Sequence, residues 1–562
     1  MTSVFRPAAV CSAILSALLL SSCASQAPVS DTVSVKVLAI NDLHGNLKTP
    51  GKGVKVKGED PAQPDVAVEV QAGGVEYIHT AVAELKSKNP NHVFVAAGDL
   101  IGASPLLSAL FHDEPTIESL NLMGLDLAAV GNHEFDHGLA ELLRKQNGGC
   151  HPETGCTSGQ PFTGAKFQYL AASTRYADSG KTVLPAYQIK EFDGVPVAFI
   201  GLTLEGTSKV VSATGIAGLT FADEAETVNA LVPELKAKGV EAIVVLIHEG
   251  GTPVGSINEC PGISGPIVQI VKQLDKAIDL IVSGHTHEAY TCEIDGRLVT
   301  SGHRYGTLVT EIDLQLSRQS GDVVSSSANN LVVRHSQFKA EPKQTALIAR
   351  YEALSAPLAN RVVSTIGAEF SRELDESGAS AMGQLLADAH LAATTAADKG
   401  AAVIALTNFG GVRAALQPGQ NGQITFGDIY AVQPFSNNLV TVSLTGDQLR
   451  RILEQQFHPN GQEYEMLQVS QGFSYQWDDR KPLGQKIVPG SIKLNGQPLQ
   501  MAQSYRVTIN NFVASGADGF TVFTEATNPL TGGLDVDVLE QYLTAHPGIK
   551  PAAFDRVQKA TH

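Results

Sequence analysis

The chain has 562 residues, 43% of them hydrophobic and 17% charged, and carries a formal charge of −17. This length exceeds one ordinary hydrophobic core, so two or more domains are expected, and the composition is globular rather than disordered. The acidic balance argues against a nucleic-acid polymer as partner, because displacing its counterions needs a basic face. A small phosphorylated substrate remains compatible if a few arginines or bound metal supply the local positive charge.

Arg6 precedes an apolar stretch, Ala8 to Leu20, with the layout of a secretory signal and too short to span a bilayer comfortably. It ends in Leu20-Ser21-Ser22-Cys23, which resembles a bacterial lipobox, in which the signal is cut before the cysteine and the cysteine receives lipid. A plain signal peptide cut near Ala24 and an N-terminal anchor are the alternatives. Residues 1–22 are thus read as signal and 23–32 as tether of an exported, periplasmic or cell-envelope lipoprotein, with Ala24 favouring the outer membrane in a Gram-negative cell. Beyond Cys11 and Cys23 there remain Cys150, Cys156, Cys260 and Cys292, and an even number in an exported chain points to disulfides. Of the possible pairings, Cys150–Cys156 and Cys260–Cys292 are favoured; zinc ligation lacks a paired C-x-x-C spacing.

From Val33 to about Val333, short β-branched runs alternate with helical stretches, as in α/β folds. Val33–Ile40, His92–Ala97, Leu127–Val130, Ala242–Ile247 and Asp279–Val282 read as buried strands. Each runs directly into a polar cluster: Asn41-Asp42-Leu43-His44, Gly98-Asp99, Gly131-Asn132-His133, His248-Glu249 and Gly284-His285-Thr286-His287. Ligands of open α/β sheets gather beyond the carboxyl ends of strands, so the clusters point to one shared site. Asn46 to Ala72 reads as a surface-loop insertion, and Glu341 to Leu358 as a helix connecting two domains. Beyond Arg361 the pattern turns α+β, with a helix near Ala381–Ala393 and strands at Val403–Leu406, Leu439–Leu444 and Tyr505–Ile509.

Hard divalent ions prefer carboxylate and amide oxygens, and imidazole suits zinc, manganese or iron. Asp42, His44, Asp99, Asn132, His248, His285 and His287 supply that mixture without a thiolate. A natural division gives one ion Asp42, His44 and His287, the other Asn132, His248 and His285, with Asp99 bridging. Two ions about 3.5–4 Å apart can clamp both attacking and leaving oxygens.

The ordered series D-x-H (Asp42 to His44), G-D (Gly98-Asp99), G-N-H-E-F-D (Gly131 to Asp136), His248 and G-H-T-H (Gly284 to His287) resembles the calcineurin-like metallophosphoesterase signature. The resemblance implies a four-layer β-sandwich flanked by helices over residues 33–335 and two divalent metal ions (Zn, Mn, Mg or Co) as cofactors. His133 and Asp136 lie three apart, so Asp136 can orient the imidazole or, alternatively, cap the helix starting near Phe135. The resemblance implies that the pair is catalytic, with His133 meeting the charge of the transferring phosphoryl group and helping to protonate the leaving oxygen. On this reading Glu134 has no role, and His92, His112, His137 and His303 are surface or structural.

The C-terminal half resembles the nucleotide-binding domain of 5′-nucleotidases, a group that includes bacterial UDP-sugar hydrolases. The matching pieces are Thr407 to Arg413, Gln433-Pro434-Phe435, and Asn511 to Phe520. The resemblance implies base stacking between Phe435 and Phe512, about 1–3 kcal/mol per stacked face. It also implies a ribose contact from Asp518, a base-edge contact from Asn408, a grip on ribose or phosphate from Arg413, and close backbone approach at Gly410 and Gly411. Relatives carry one or two further arginines ahead of the helix at Met382; here Arg372 takes the distant position and Glu376 the nearer one. The implied architecture is α/β followed by a linker helix at residues 336–360, acting as hinge, and an α+β domain at 361–562. The implied activity is hydrolysis of nucleoside 5′-monophosphates. UDP-sugar hydrolysis, 2′,3′-cyclic phosphodiesterase with 3′-nucleotidase activity, and a non-enzymatic nucleoside-binding surface lipoprotein are the alternatives.

Overall fold

The computed structural model describes residues 1–3 and 30–560, except 52, 59–61, 64, 213, 436, 459–463 and 465. Most of the signal segment, Cys23 and most of the tether therefore lie outside the described residues.

Two six-stranded sheets form the first domain. In one, the order is Val323–Val332, Leu308–Ser317, Thr32–Ile40, His92–Ala97, Leu127–Ala129, Gln168–Leu170. In the other it is Ala289–Ile294, Arg297–Gly302, Leu280–Ser283, Ala242–His248, Val195–Thr203, Tyr187–Phe192. The strands are apolar on both faces because each face has a different partner. Val33, Val35, Val37, Val93 and Val95 meet Val197, Phe199, Val244 and Leu246 between the sheets. Leu38, Ile40, Phe94 and Ala96 turn outward onto helices Val75–Ser87 and Glu114–Met123. On the other side Ile200, Leu202, Ile243 and Val245 pack on Glu224–Ala237 and Pro266–Gln273. Helix, sheet, sheet and helix make the four layers expected of the sandwich.

Register then sets the site. Ile40 pairs with Ala96 and Ala97 with Ala129 in parallel, while Ile247 pairs with Ser283, so the central strands of each sheet release their polar clusters at one edge. Both expected disulfides, Cys150–Cys156 and Cys260–Cys292, are formed.

The connector, Pro342–Ala359, is a helix docked on the first domain. Leu347, Ile348 and Tyr351 join the core of Phe111, Ile117 and Leu120, and the buried Gln344 exchanges hydrogen bonds with Ser119. The second domain is α+β, built on a five-stranded sheet ordered Gln468–Val469, Ile404–Thr407, Ser504–Asn510, Asn438–Thr445, Thr527–Leu534. Helix Ala381–Thr394, capped by the Ser380 side chain, packs against it. Strands Ile404–Thr407 and Ser504–Asn510 are parallel, so Asn408 and Phe512 leave from the same edge. Asn438–Thr445 is antiparallel to the latter, with Leu439 opposite Asn510, and this brings Phe435 to that edge too.

Candidate active site

The predicted ligands converge on the shared edge of the two sheets. His44 Nε2 lies 3.1 Å from His287 Nε2, and Asp42 Oδ1 lies 3.4 Å from His287 Nε2. Asp99 Oδ2 is 3.7 Å from His44 Nε2 and 2.9 Å from His248 Nε2, which in turn is 3.1 Å from Asn132 Oδ1. Donor atoms of Asp42, His44 and His287 form one group small enough for an ion, and those of Asp99, His248 and His285 form another. One Asp99 oxygen faces both groups, as a bridging ligand must.

Burial depresses the imidazoles of His44, His287 and His285, the last to about 4, so these rings keep a lone pair for a cation. Burial also works against ionisation of Asp42 and Asp99, but the neighbouring histidines overcome it and hold both carboxyls low. His248 is the exception: burial is outweighed by Asp99, which lifts it to about 10, so a cation there displaces a proton. Oxygen and imidazole donors in these states fit two divalent cations.

The backbone is bent to present them. Asp42, His44, Asp99, His285 and His287 all have left-handed φ, between 45° and 72°. Non-glycine residues seldom adopt this conformation unless the surroundings impose it, at about 1–3 kcal/mol each. A Cβ on Gly98, itself at φ 84°, would sit 2.6 Å from His248 Nδ1, and one on Gly131 would sit 2.2 Å from Asp99 Oδ1. This close approach explains why glycine precedes Asp99 and Asn132.

Two residues without an assigned role from sequence hold this frame. Glu134 is buried, and its carboxylate accepts N–H bonds from Asp99 (2.9 Å), Leu100 (2.8 Å), Ile101 (3.4 Å) and Gly131 (2.6 Å). Burial and the Asp99 charge push its carboxyl up to about 8, against those N–H donors. The reading of Glu134 as roleless is therefore corrected: it clamps the two loops carrying Asp99 and Asn132. Glu134→Gln turns an NH2 group toward two N–H donors and is expected to cost about 1–3 kcal/mol in a urea denaturation curve. Asn41 donates to Asp42 Oδ2 (2.7 Å) and to the His303 carbonyl (2.6 Å), which fixes the first ligand.

His133 follows Asn132 on a short 3-10 turn, and its Nδ1 lies 2.8 Å from Asp136 Oδ2, so Asp136 orients the ring. Burial pulls this imidazole down, but Asp136 and Asp99 prevail and its pKa is raised. The ring stacks on Phe435 of the second domain at 5.8 Å. Both domains thus share one cleft of about 360 Å3. His133, Asp136, Asn132 and His285 line it from the first; Asn408, Gly410, Gly411, Arg413, Phe435, Phe512 and Asp518 line it from the second.

Asn408 donates from Nδ2 to Asp518 Oδ2 (2.7 Å), and its Oδ1 accepts from Asn510 (3.1 Å). Asp518 has left-handed φ, and burial raises its carboxyl to about 6. Arg413 lies over the Phe435 ring at 5.6 Å. Arg372 is not among the residues lining the cleft; it lies 4.3 Å over Phe409 and donates to the Val412 carbonyl. Glu376 is exposed and outside the lining. His137 lines the cleft, whereas His92, His112 and His303 hydrogen-bond elsewhere, to the Asn89 carbonyl, Thr154 and Thr307. Sequence reasoning missed Val210, Val211, Ser212 and Thr214, the end of a short first-domain helix and residues after it, which carry no motif and complete the wall. It also missed Asn437 and Asn511, which adjoin recognised motifs and could have been found there.

Fold and site together define a class in which a calcineurin-like phosphoesterase domain is joined to a 5′-nucleotidase C-terminal domain. Residues 35–289 match the family model of the first and residues 358–525 that of the second, and the chain belongs to this 5′-nucleotidase family. It is 33% identical to the endonuclease YhcR of Bacillus subtilis over 92% of this chain, which spans 40% of that relative's length. It is 24% identical to a 5′-nucleotidase of Vibrio vulnificus over 82% of this chain and 84% of that one. The crystal structure of a 5′-nucleotidase precursor from Thermus thermophilus shares the fold, with a TM-score of 0.75 at 24% identity, covering 94% of this chain and 100% of that one.

Proposed function

We propose that the protein is an exported phosphohydrolase that uses two divalent ions to convert nucleoside 5′-monophosphates to nucleoside and phosphate. The observation that carries this reading is the single cleft in which His133 and the edge of the ligand cluster face Phe435, Phe512, Asp518 and Arg413. Phe435 and Phe512 offer apolar faces to a nucleobase, and Asp518 keeps an oxygen for a ribose hydroxyl. The fork of Arg413 suits a phosphate oxygen. His133, charged and oriented by Asp136, meets the negative charge that develops on the phosphoryl group and passes a proton to the leaving oxygen. Divalent ions bound among Asp42, His44, Asp99, Asn132, His248, His285 and His287 would supply Lewis acidity toward phosphoryl oxygens and acidify a water.

Export is supported by the two disulfides, which persist in oxidising compartments. Lipid attachment at Cys23 is part of the same reading: Cys23→Ser is expected to abolish incorporation of labelled fatty acid and membrane retention.

A panel of AMP, UDP-glucose, 3′-AMP and 2′,3′-cyclic AMP, run with Zn, Mn, Mg and Co, tests the activity. AMP is expected to give the highest kcat/KM; preference for any other member replaces the substrate, and hydrolysis of none removes the enzymatic reading. Stacking has its own test. Phe512→Ala is expected to raise KM for AMP by about 5- to 150-fold, from the loss of about 1–3 kcal/mol on one face of the base. Turnover of p-nitrophenyl phosphate, which has no nucleobase, should stay unchanged.

A further inference from the structure

A hydrogen bond between amide side chains has a direction, which is fixed wherever one end meets a group that can only donate. Asn510 ends strand Ser504–Asn510, is buried, and caps the short helix Asn511–Ala514 that carries Phe512. Its Oδ1 accepts the Val513 N–H at 2.8 Å. A backbone N–H only donates, so this cap leaves Asn510 with Nδ2 to present on its other side. There Nδ2 donates to Asn408 Oδ1 at 3.1 Å. The buried Asn408 is thereby turned so that its own Nδ2 donates to Asp518 Oδ2 at 2.7 Å. The relay ends on an atom that has to accept.

Each link stands where the fold puts it. The parallel register that sets Ala405 beside Thr508 carries Asn408 to the strand end that Asn510 occupies. Asp518 has φ 53° and lies between Gly516 at 88° and Gly519 at 78°, a turn that the bond from Asn408 ties to the sheet. Burial opposes a charge on Asp518, while the Asn408 amide and the Arg413 guanidinium favour it. Its Oδ1 meets no donor among the described residues, and Asp518 lines the cleft together with Phe512.

We propose that Asn510 is a positioning residue for the sugar: by fixing the direction of the relay from Asn510 through Asn408 to Asp518, it holds Asp518 as an acceptor for ribose hydroxyls and makes the cleft favour ribonucleosides over their dideoxy counterparts. Asn510 is not among the residues that line the cleft, so it acts through Asn408 and Asp518. Ribose hydroxyls can donate, and a carboxylate oxygen left free by the protein takes them in charge-assisted bonds. With the relay reversed, Asn408 Oδ1 would face Asp518 Oδ2, and two acceptors would meet. A proton on the carboxyl or a shift of the turn relieves that contact, and either weakens the grip on ribose. This role rests on the reading of Asp518 as the ribose contact.

The test measures binding of adenosine and of 2′,3′-dideoxyadenosine to the full chain by calorimetry, with Asn510→Ser and Asn510→Asp beside the wild type. Both replacements keep an oxygen suited to the cap, and both lose the amide donor. The wild type is expected to bind adenosine about 10- to 100-fold more tightly than the dideoxynucleoside. Asn510→Ser should weaken adenosine by about 10-fold and leave dideoxyadenosine unchanged. Asn510→Asp matches the original side chain in shape but sets an acceptor against Asn408 Oδ1, so it should weaken adenosine more than serine does. Equal weakening of both nucleosides would reduce Asn510 to a helix cap, and unchanged adenosine affinity in either variant would show that the relay does not reach the sugar; each overturns the proposal. A wild type with no preference for adenosine removes the ribose reading of Asp518 first, and the role of Asn510 with it.

Discussion

Replacing Asp99 by asparagine is expected to lower nucleotide hydrolysis by about 10³-fold or more, since Lewis-acid stabilisation is worth several kcal/mol and each 1.4 kcal/mol is tenfold in rate. The substitution preserves shape. The side-chain oxygen can still accept the His133 N–H, as Asp99 Oδ1 does at 2.9 Å. It removes the charged oxygen that stands 2.9 Å from His248 Nε2 and 3.7 Å from His44 Nε2, so neither ligand group is complete. If an NH2 group takes that place, donor faces donor. Elemental analysis should find fewer than two ions per chain in the variant, beside a kcat measured at saturating AMP. Retention of both ions and of wild-type rate would show that the cluster is not the seat of the chemistry.

His133→Ala is expected to lower kcat by about 10²–10⁴-fold, the usual contribution of a positioned general acid with its electrostatic share. Metal content should stay at the wild-type value, because the imidazole is not needed for either ligand group. Asp136→Asn removes the carboxylate that holds Nδ1 at 2.8 Å and helps keep the ring charged, and should cost less, about 10- to 100-fold. The ordering matters more than the sizes. An Asp136 variant slower than the His133 variant would mean that the carboxylate, not the imidazole, acts on substrate.

The helical and strand elements were legible because their causes are local. Val33 to Ile40 alternates between two apolar faces, and the structure gives Thr32–Ile40; the strand expected at His92–Ala97 spans those same residues. The polar residue types that follow such strands are likewise visible in the chain, which is why the ligand series can be read along it. Glu134 was not legible in this way. It stands inside a recognised motif, but its work is done through N–H groups of two loops, Gly131 on its own and Asp99 to Ile101 on the other, and only their juxtaposition reveals it.

By itself, the sequence determined which side chains could bind cations, where strands would deliver them, and that a second half with nucleotide-type motifs follows. Those properties depend on side-chain chemistry and on the two-residue period of a strand, and both can be read along the chain. The tertiary structure alone decided that the two halves share one cleft, that Arg372 lies behind Phe409 instead of lining it, and that Val210, Val211, Ser212 and Thr214 close the wall. Burial and hydrogen-bond geometry act over a few ångströms between residues hundreds of positions apart, and no local pattern encodes that proximity.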